Sequence, residues 1–271
     1  MKWIQTAERA STLETDNYVL SRCKSVYHYA ATQIQGKVLE IGTGTGYGVD
    51  IIAPRVTEFW TLDKYPTENK SLNHEHVNYI QQKVPPLLNI PSNYFDYVVC
   101  FQVIEHIKPD EFFLQEINRV LKNDGKLILT TPNIDKTLVR NPWHVREYQV
   151  DELKKLMMSN FEMVEMYGVY GNDVVNSYYE ANKAAVEKLL KLDFLSLNKR
   201  LPGLMLQLPY DLCNRINRYL LMLKEKQEKK ITENDFYLKD VDESCLDFFV
   251  VSQKRHQRNA QSLFCIKDIA C

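Results

Sequence analysis

The chain has 271 residues, of which 45% are hydrophobic and 25% charged, enough for one large domain or one domain carrying an insertion around a buried core. Its 34 basic and 35 acidic side chains leave a net charge of −1, so no excess positive field exists to draw in a polyphosphate, and nucleic acid is disfavoured as a substrate. Cys23, Cys100, Cys213, Cys245, Cys265 and Cys271 are scattered without C-x-x-C or metal-ligand spacing, which argues against a disulfide framework or a zinc site and fits a reducing, cytoplasmic setting.

No apolar signal core opens the chain, and no run approaches the ~20 apolar residues of a membrane span. Residues 1–35 read as a helical, polar-aromatic segment. Val38 to Ile41 is a short apolar run ending in a glycine cluster, as a buried parallel strand does. Tyr47 to Pro54 reads as the following helix, stopped before the proline. Strands are expected at Thr57–Leu62, Val77–Gln81 and Tyr97–Phe101. Pro109 opens a helix with Phe112, Phe113, Ile117, Val120 and Leu121 at helical spacing. Asn123-Asp124-Gly125 signals a turn, and Lys126–Thr131 is a fifth strand stopped at Pro132. Asp151 is expected to cap a helix to Ser159, and Phe161–Tyr167 alternates as a sixth strand. Alternation of strand and helix specifies a parallel sheet with helices on both faces. Residues 172–243, broken by Pro202 and Pro209, read as a helical insertion. Within it, Lys224 to Lys230 alternates in charge like a solvated helix face or linker. Cys245–Ser252 returns as a strand, and 254–271 is expected to be a tail. The boundaries are therefore 1–35, 36–171 for the core, 172–243 for the insertion, 244–253 for the last core strand and 254–271.

The segment Glu40-Ile-Gly42-Thr43-Gly44-Thr-Gly46-Tyr-Gly48 lies between a predicted strand and a predicted helix, the context that gives a glycine pattern meaning. Glycine permits positive φ and close approach of the backbone to a ligand, and the helix beyond presents free N–H groups. A nicotinamide dinucleotide fingerprint counted from Gly42 and Gly44 needs glycine at 47, where Tyr47 stands. Asp63, ending the second strand, can accept hydrogen bonds from both hydroxyls of an adenosine ribose.

These segments resemble the class I S-adenosylmethionine (SAM)-dependent methyltransferases, in particular the small-molecule, ubiquinone-biosynthesis-like branch. Val38 to Gly48 is similar to the family's first motif and Thr61-Leu62-Asp63 to its second. Asn93 to Ile107 is similar to the fourth-strand motif, and Arg119 to Asn133 to the fifth-strand segment. The resemblance covers roughly residues 20–170 and resumes at 245–252. It implies an α/β, Rossmann-like seven-stranded sheet, its last strand antiparallel, with helices on both faces and a helical insertion between strands six and seven. It further implies SAM as cofactor, with S-adenosylhomocysteine as product. Gly42, Thr43, Gly44 and Gly46 would line the methionine–ribose portion, Glu40 would order that end, and Asp63 would take the ribose diol. Phe101 and Gln102 would meet the methionine near the sulfonium. Relatives often carry an aspartate after the third strand for the adenine; here Gln82 is the nearest polar residue. Arg22 stands where relatives place a clamp for the cofactor carboxylate, and a surface arginine is the other reading.

Methyl transfer from a sulfonium requires mainly that the nucleophile be held in line, and the sequence signals no metal. A hydroxyl acceptor gains from one base titrating near neutrality, which favours histidine. His144, in the polar-aromatic loop Asn141-Pro-Trp-His-Val-Arg-Glu-Tyr148, is a candidate base or acceptor-binding residue. His106, expected at a helix start beside Glu105, is a second candidate or a structural residue behind the cofactor. Trp143, Arg146 and Tyr148 either contact the acceptor or anchor the loop. The insertion should stand over the site, with Tyr178, Tyr179, Tyr210 and Tyr219 available to line it. Leu201 to Tyr210 is apolar enough to cover a lipid-like acceptor or to form a homodimer contact. The sequence thus favours methylation, on oxygen, of a small-molecule, glycan or lipid-like acceptor. There is no transmembrane segment, and peripheral membrane contact remains open. A non-catalytic SAM-binding partner or sensor is the alternative.

Overall fold

The structure, a computed structural model, describes residues 13–192, 201–225 and 230–254. The first twelve residues of the N-terminal segment, parts of the insertion and the tail with Cys265 and Cys271 lie outside them.

Helix α1 (Asn17–Ala31) precedes strand β1 (Lys37–Ile41), and α2 (Tyr47–Ile52) leads to β2 (Glu58–Asp63). Strands β3 (Val77–Gln81) and β4 (Phe95–Phe101) follow, then α3 (Asp110–Val120) and β5 (Leu121–Pro132). Helix α4 (Val150–Asn160) and β6 (Met163–Gly171) complete the alternating part. Helices α5 (Asp173–Leu192) and α6 (Gly203–Glu225) form the insertion, before β7 (Phe236–Asp240) and β8 (Asp247–Gln253).

One sheet takes the order β3-β2-β1-β4-β5-β8-β6-β7. The β1–β2, β2–β3, β1–β4 and β4–β5 pairs are parallel, whereas β8 runs antiparallel to both β5 and β6. This is the expected Rossmann-like arrangement with one addition. Among the described residues the sheet has eight strands rather than seven, because residues assigned to the helical insertion return as β7 and pair antiparallel with β6 at the edge.

Side chains alternate across the sheet and so build two cores. Leu39, Ile41, Val98, Cys100, Leu127 and Leu129 pack with Phe113, Ile117, Leu153 and Met157 of α3 and α4. Val38, Phe59, Val99, Phe101 and Ile128 pack on the opposite face with Tyr27, Ala30, Val49, Ile52 and Val175 of α1, α2 and α5. Both faces of the central strands are covered, which explains their nearly unbroken apolar sequence. Two local expectations are corrected. Asp151 lies inside the first turn of α4, whose cap is Gln149. Glu105 and His106 lie in a single 3-10 turn, Ile104–His106, ahead of α3, so the α3 dipole is not what settles Glu105.

Parallel strands expose their carboxyl ends along one edge. The glycine bend after β1, Asp63, Gln82, the Phe101–Gln102 pair and the Pro132–Tyr148 loop all emerge there. Helix α2 can approach that edge because Gly48 has no side chain: a Cβ would collide with Glu40 Oε1 and the Tyr27 ring. Both obstacles are buried in the core. Gly48→Ala should therefore destabilise the protein by about 1–3 kcal/mol, the usual cost of overpacking, read as a lowered urea midpoint; an unchanged midpoint would mean that α2 can move away freely.

Candidate active site

The bend after β1 is fixed by its backbone. Gly42, Gly44 and Gly46 have φ of 95°, 56° and 87°, in the left-handed region that disfavours side chains. The N–H groups of Gly42 and Thr43 both donate to Leu62 O, at 2.8 and 3.1 Å. The Gly44 N–H donates to Asp63 Oδ2 at 2.9 Å, while Asp63 Oδ1 accepts from Tyr65 N at 2.9 Å. The bend and the acid are thus one unit, and a Cβ on Gly44 would meet nothing within 4 Å, because that atom faces open space.

Beneath the bend lies a polar network. Glu40 is 1% exposed, accepts from Tyr27 Oη at 2.8 Å and from Thr61 Oγ1 at 2.5 Å, and stands below rather than in the cavity. Burial pushes its carboxyl up to about 7, against the two hydrogen bonds that favour the ionised form. Thr43 Oγ1 lies 2.6 Å from Thr61 Oγ1, so Thr43 also faces the support rather than the ligand space. Gly46 starts α2 and lines no part of the cavity either. Glu40, Thr43 and Gly46 therefore shape the site from behind.

The cavity has a volume of about 670 Å³. Gly42, Gly44, Asp63, Gln82, Phe101, Gln102 and Arg22 from the expected cofactor set line it, as do His106 and His144. Gln82 Nε2 is a buried donor without a hydrogen-bond partner among the described residues. Gln102 has φ of 56°, unusual for a non-glycine residue, and its Nε2 reaches Thr130 Oγ1 at 3.3 Å. The surface reading of Arg22 is corrected: its Nε lies 3.2 Å from Asp247 Oδ2, and its guanidinium sits 5.7 Å from the Tyr18 ring centre. That carboxylate and the Tyr18 ring hold Arg22 firmly charged despite burial, while burial raises Asp247.

The 133–149 loop forms the far wall. It is docked by Val145 N and Arg146 N, which donate to Glu105 O at 2.8 and 3.3 Å. Arg146 and Tyr148 act as anchors, both bonding Asp110 Oδ2, at 2.6 and 3.0 Å. Trp143 packs on Tyr210, with ring centres 5.8 Å apart. His144 Nδ1 lies 2.5 Å from Glu147 Oε1, and its Nε2 lies 2.8 Å from Asn141 Nδ2. A carboxylate only accepts, so Nδ1 carries the hydrogen and Nε2 keeps a lone pair. His106 is fixed the same way, its Nδ1 donating to Trp143 O at 3.0 Å. The two rings stand edge to face, 4.9 Å apart. Tyr178, Tyr179, Asn182, Tyr210, Asn214 and Asn217 of the insertion close the cavity. Tyr219, also expected there, is 51% exposed and turned away.

Sequence reading passed over Tyr27, Asn141, Glu147 and the insertion asparagines. Glu147 and Asn141 had a faint signal, standing three residues either side of His144; Tyr27 had none.

Glu40 gives a pH test. Its folded value, about 7, lies above the ordinary 4.5, so its contribution to stability is present at low pH and is lost as pH rises through about 7. Glu40→Gln should flatten the fall in the cofactor-free melting temperature between pH 4.5 and 7, and equal slopes in both proteins would show that Glu40 titrates normally.

A family model described as a methyltransferase domain matches residues 15–165. A probable S-adenosylmethionine-dependent methyltransferase of Mycobacterium tuberculosis is 34% identical over 177 residues, covering 61% of this chain and 64% of that protein. The chain thus spans less than two thirds of that relative's length. A ubiquinone biosynthesis O-methyltransferase of Rickettsia bellii is 27% identical over 130 residues, covering 44% of this chain and 50% of that protein. Among solved structures, a SAM-dependent methyltransferase of Thermotoga maritima, a possible histamine N-methyltransferase, superposes with a TM-score of 0.51 at 15% identity over 88% of this chain and 92% of that one, a likeness of fold. The glycine bend, the acid one strand later and the match over more than half the chain agree: the chain belongs to the methyltransferase-domain family, with the class I SAM-dependent fold.

Proposed function

We propose that this protein transfers a methyl group from SAM to an oxygen of a hydroxylated small-molecule or glycan-like acceptor, with His144 taking the acceptor proton. The observation that carries the reading is one cavity that holds both the Gly44–Asp63 unit and, on its far wall, the His144–Glu147 pair.

The residues fit the cofactor. Asp63, fixed at the cavity edge by the Gly44 and Tyr65 N–H groups, presents a carboxylate of the kind that binds a ribose diol, Gly42 and Gly44 leave room for the chain of the amino acid, and the Gln82 Nε2 donor suits an adenine ring nitrogen. Bound there, SAM supplies an activated methyl group on a sulfonium. Phe101 and Gln102 border that region and exclude water from one side. Glu147 holds the His144 ring with Nε2 as the basic nitrogen, and a proton taken there leaves a cation facing the Glu147 carboxylate. The tyrosines and asparagines of α5 and α6 support a polar acceptor over a wholly lipid one. In this reading the insertion serves as the acceptor pocket, and Arg22 orders the methionine end through its pairing with Asp247.

Two variants test the two halves separately. Asp63→Ala should weaken S-adenosylhomocysteine binding by about 1–3 kcal/mol by calorimetry, the cost of a lost charged hydrogen-bond partner; unchanged affinity removes Asp63 from the cofactor site. His144→Ala should lower turnover of labelled methyl transfer by about 10²–10⁴ with product affinity nearly intact. Saturable cofactor binding with no transfer to any hydroxylated acceptor would instead favour a non-catalytic SAM-binding protein.

A further inference from the structure

The sequence signalled no metal, yet one ligating atom from each of Glu105, His106 and His144 falls within 4.8 Å of the others. His144 is remote in sequence from the adjacent Glu105 and His106 and meets them only because the 133–149 loop docks on the 3-10 turn that carries the first two. We infer that Glu105, His106 and His144 form a binding site for one divalent first-row cation on the acceptor wall of the cavity.

The outer contacts are those a metal site needs. A ligating imidazole donates its second nitrogen to a carboxylate or carbonyl, which fixes its orientation and raises its basicity. His106 Nδ1 donates to Trp143 O at 3.0 Å, and His144 Nδ1 to Glu147 at 2.5 Å, which leaves Nε2 as the ligating nitrogen of each ring, that of His144 now accepting from Asn141 Nδ2 at 2.8 Å. Glu105 Oε2 is steadied by Thr131 Oγ1 at 3.0 Å. Glu105 is 1% exposed, and among the described residues no lysine or arginine pairs with it. A buried carboxylate without a cation is costly, and a bound metal ion would offset that cost.

Two imidazoles and a carboxylate suit Zn²⁺, Mn²⁺ or Fe²⁺ better than Mg²⁺ or Ca²⁺, which prefer all-oxygen sets. Bonds of about 2.0–2.2 Å place neighbouring ligand atoms roughly 3–3.5 Å apart in a tetrahedral or octahedral site. Closing from 4.8 Å thus takes side-chain movements of about 1 Å, with the Asn141 amide released from His144 Nε2. Three protein ligands leave at least one position toward the cavity. An acceptor hydroxyl bound there would lose its proton more readily, as metal-bound water does, and its proton would pass to solvent. This deepens the reading of His144 as an acceptor-side residue and replaces a free base with a ligand.

The test measures the ion directly. Full-length protein stripped with a chelator is titrated with Zn²⁺ by calorimetry and with Co²⁺ by visible absorption. One equivalent should bind, with the intense visible bands of a low-symmetry Co²⁺ site, and His106→Ala and Glu105→Gln should each weaken Zn²⁺ binding at least tenfold. The far-ultraviolet circular dichroism spectrum and the urea midpoint serve as the folding controls for both variants. Absence of saturable binding, or binding indifferent to both substitutions, overturns the inference. If no ion binds while His144→Ala still abolishes turnover, the free-base reading stands and this one fails. If Zn²⁺ binds through these residues and no acceptor is methylated, the site stands and the proposed function fails.

Discussion

The Gly44 main-chain N–H donates to the Asp63 carboxylate at 2.9 Å, and the whole carboxyl edge is arranged around that contact. It joins two adjacent parallel strands through the turn of one and the last residue of the other. The bond depends on Gly44 holding φ of 56°, a backbone conformation that side chains disfavour. A carboxylate so fixed does not need to be ordered when a ligand arrives, which lowers the entropic cost of binding. Below it, Thr43, Thr61, Glu40 and Tyr27 form a continuous hydrogen-bonded column through the core. Polar groups in such a column must all be satisfied, because a single unpaired member in a low-dielectric interior is expensive. The bend is therefore supported from beneath as well as tied from the side.

The far wall of the cavity depends on a second anchor of a different kind. Asp110 accepts from both Arg146 and Tyr148, and Asn133 holds the end of β5 through Cys245 O and Glu243 O. Those contacts bracket a long loop at both ends, which explains how its centre can carry the oriented His144 outside any helix or strand. Burial and the nearby Asp110 carboxylate push the Tyr148 hydroxyl far above its ordinary range, so it remains a neutral donor. Arg146 is held charged by Glu152 and Asp110.

Much of this was legible in the sequence, for identifiable reasons. Gly42 and Gly44 could be read because the backbone itself demands glycine at positive φ, and Asp63 only beside them, since an acid at a strand end is otherwise a loop acid or a helix cap. Residues that act through tertiary contact were not legible. Tyr27 reaches Glu40 across thirteen residues, and Glu105 reaches His144 only after the loop folds back, so no local period records either meeting. Gln82 was visible only as the nearest polar residue; its partnerless amide is what gives it weight. The added strand β7 was missed because Phe236–Asp240 is short, half polar and paired on one side only, which removes the apolar alternation of a buried strand.

Helix α6 reverses the usual distribution on a surface helix. Leu206, Tyr210, Asn214, Asn217 and Leu221 recur at spacings of three and four and face inward, yet three of these five are polar. Met205, Leu208, Leu212 and Ile216, which an ordinary core would claim, are 53% exposed or more. The inward polar groups are themselves organised: Asn217 Nδ2 donates to Asn182 Oδ1 at 2.6 Å, and Arg218 pairs with Asp16 at 2.6 Å. A helix that turned its apolar stripe inward would gain about 1.5–3 kcal/mol for each large side chain buried. Forgoing that gain is consistent with a chamber wall built for hydrogen bonding rather than for packing.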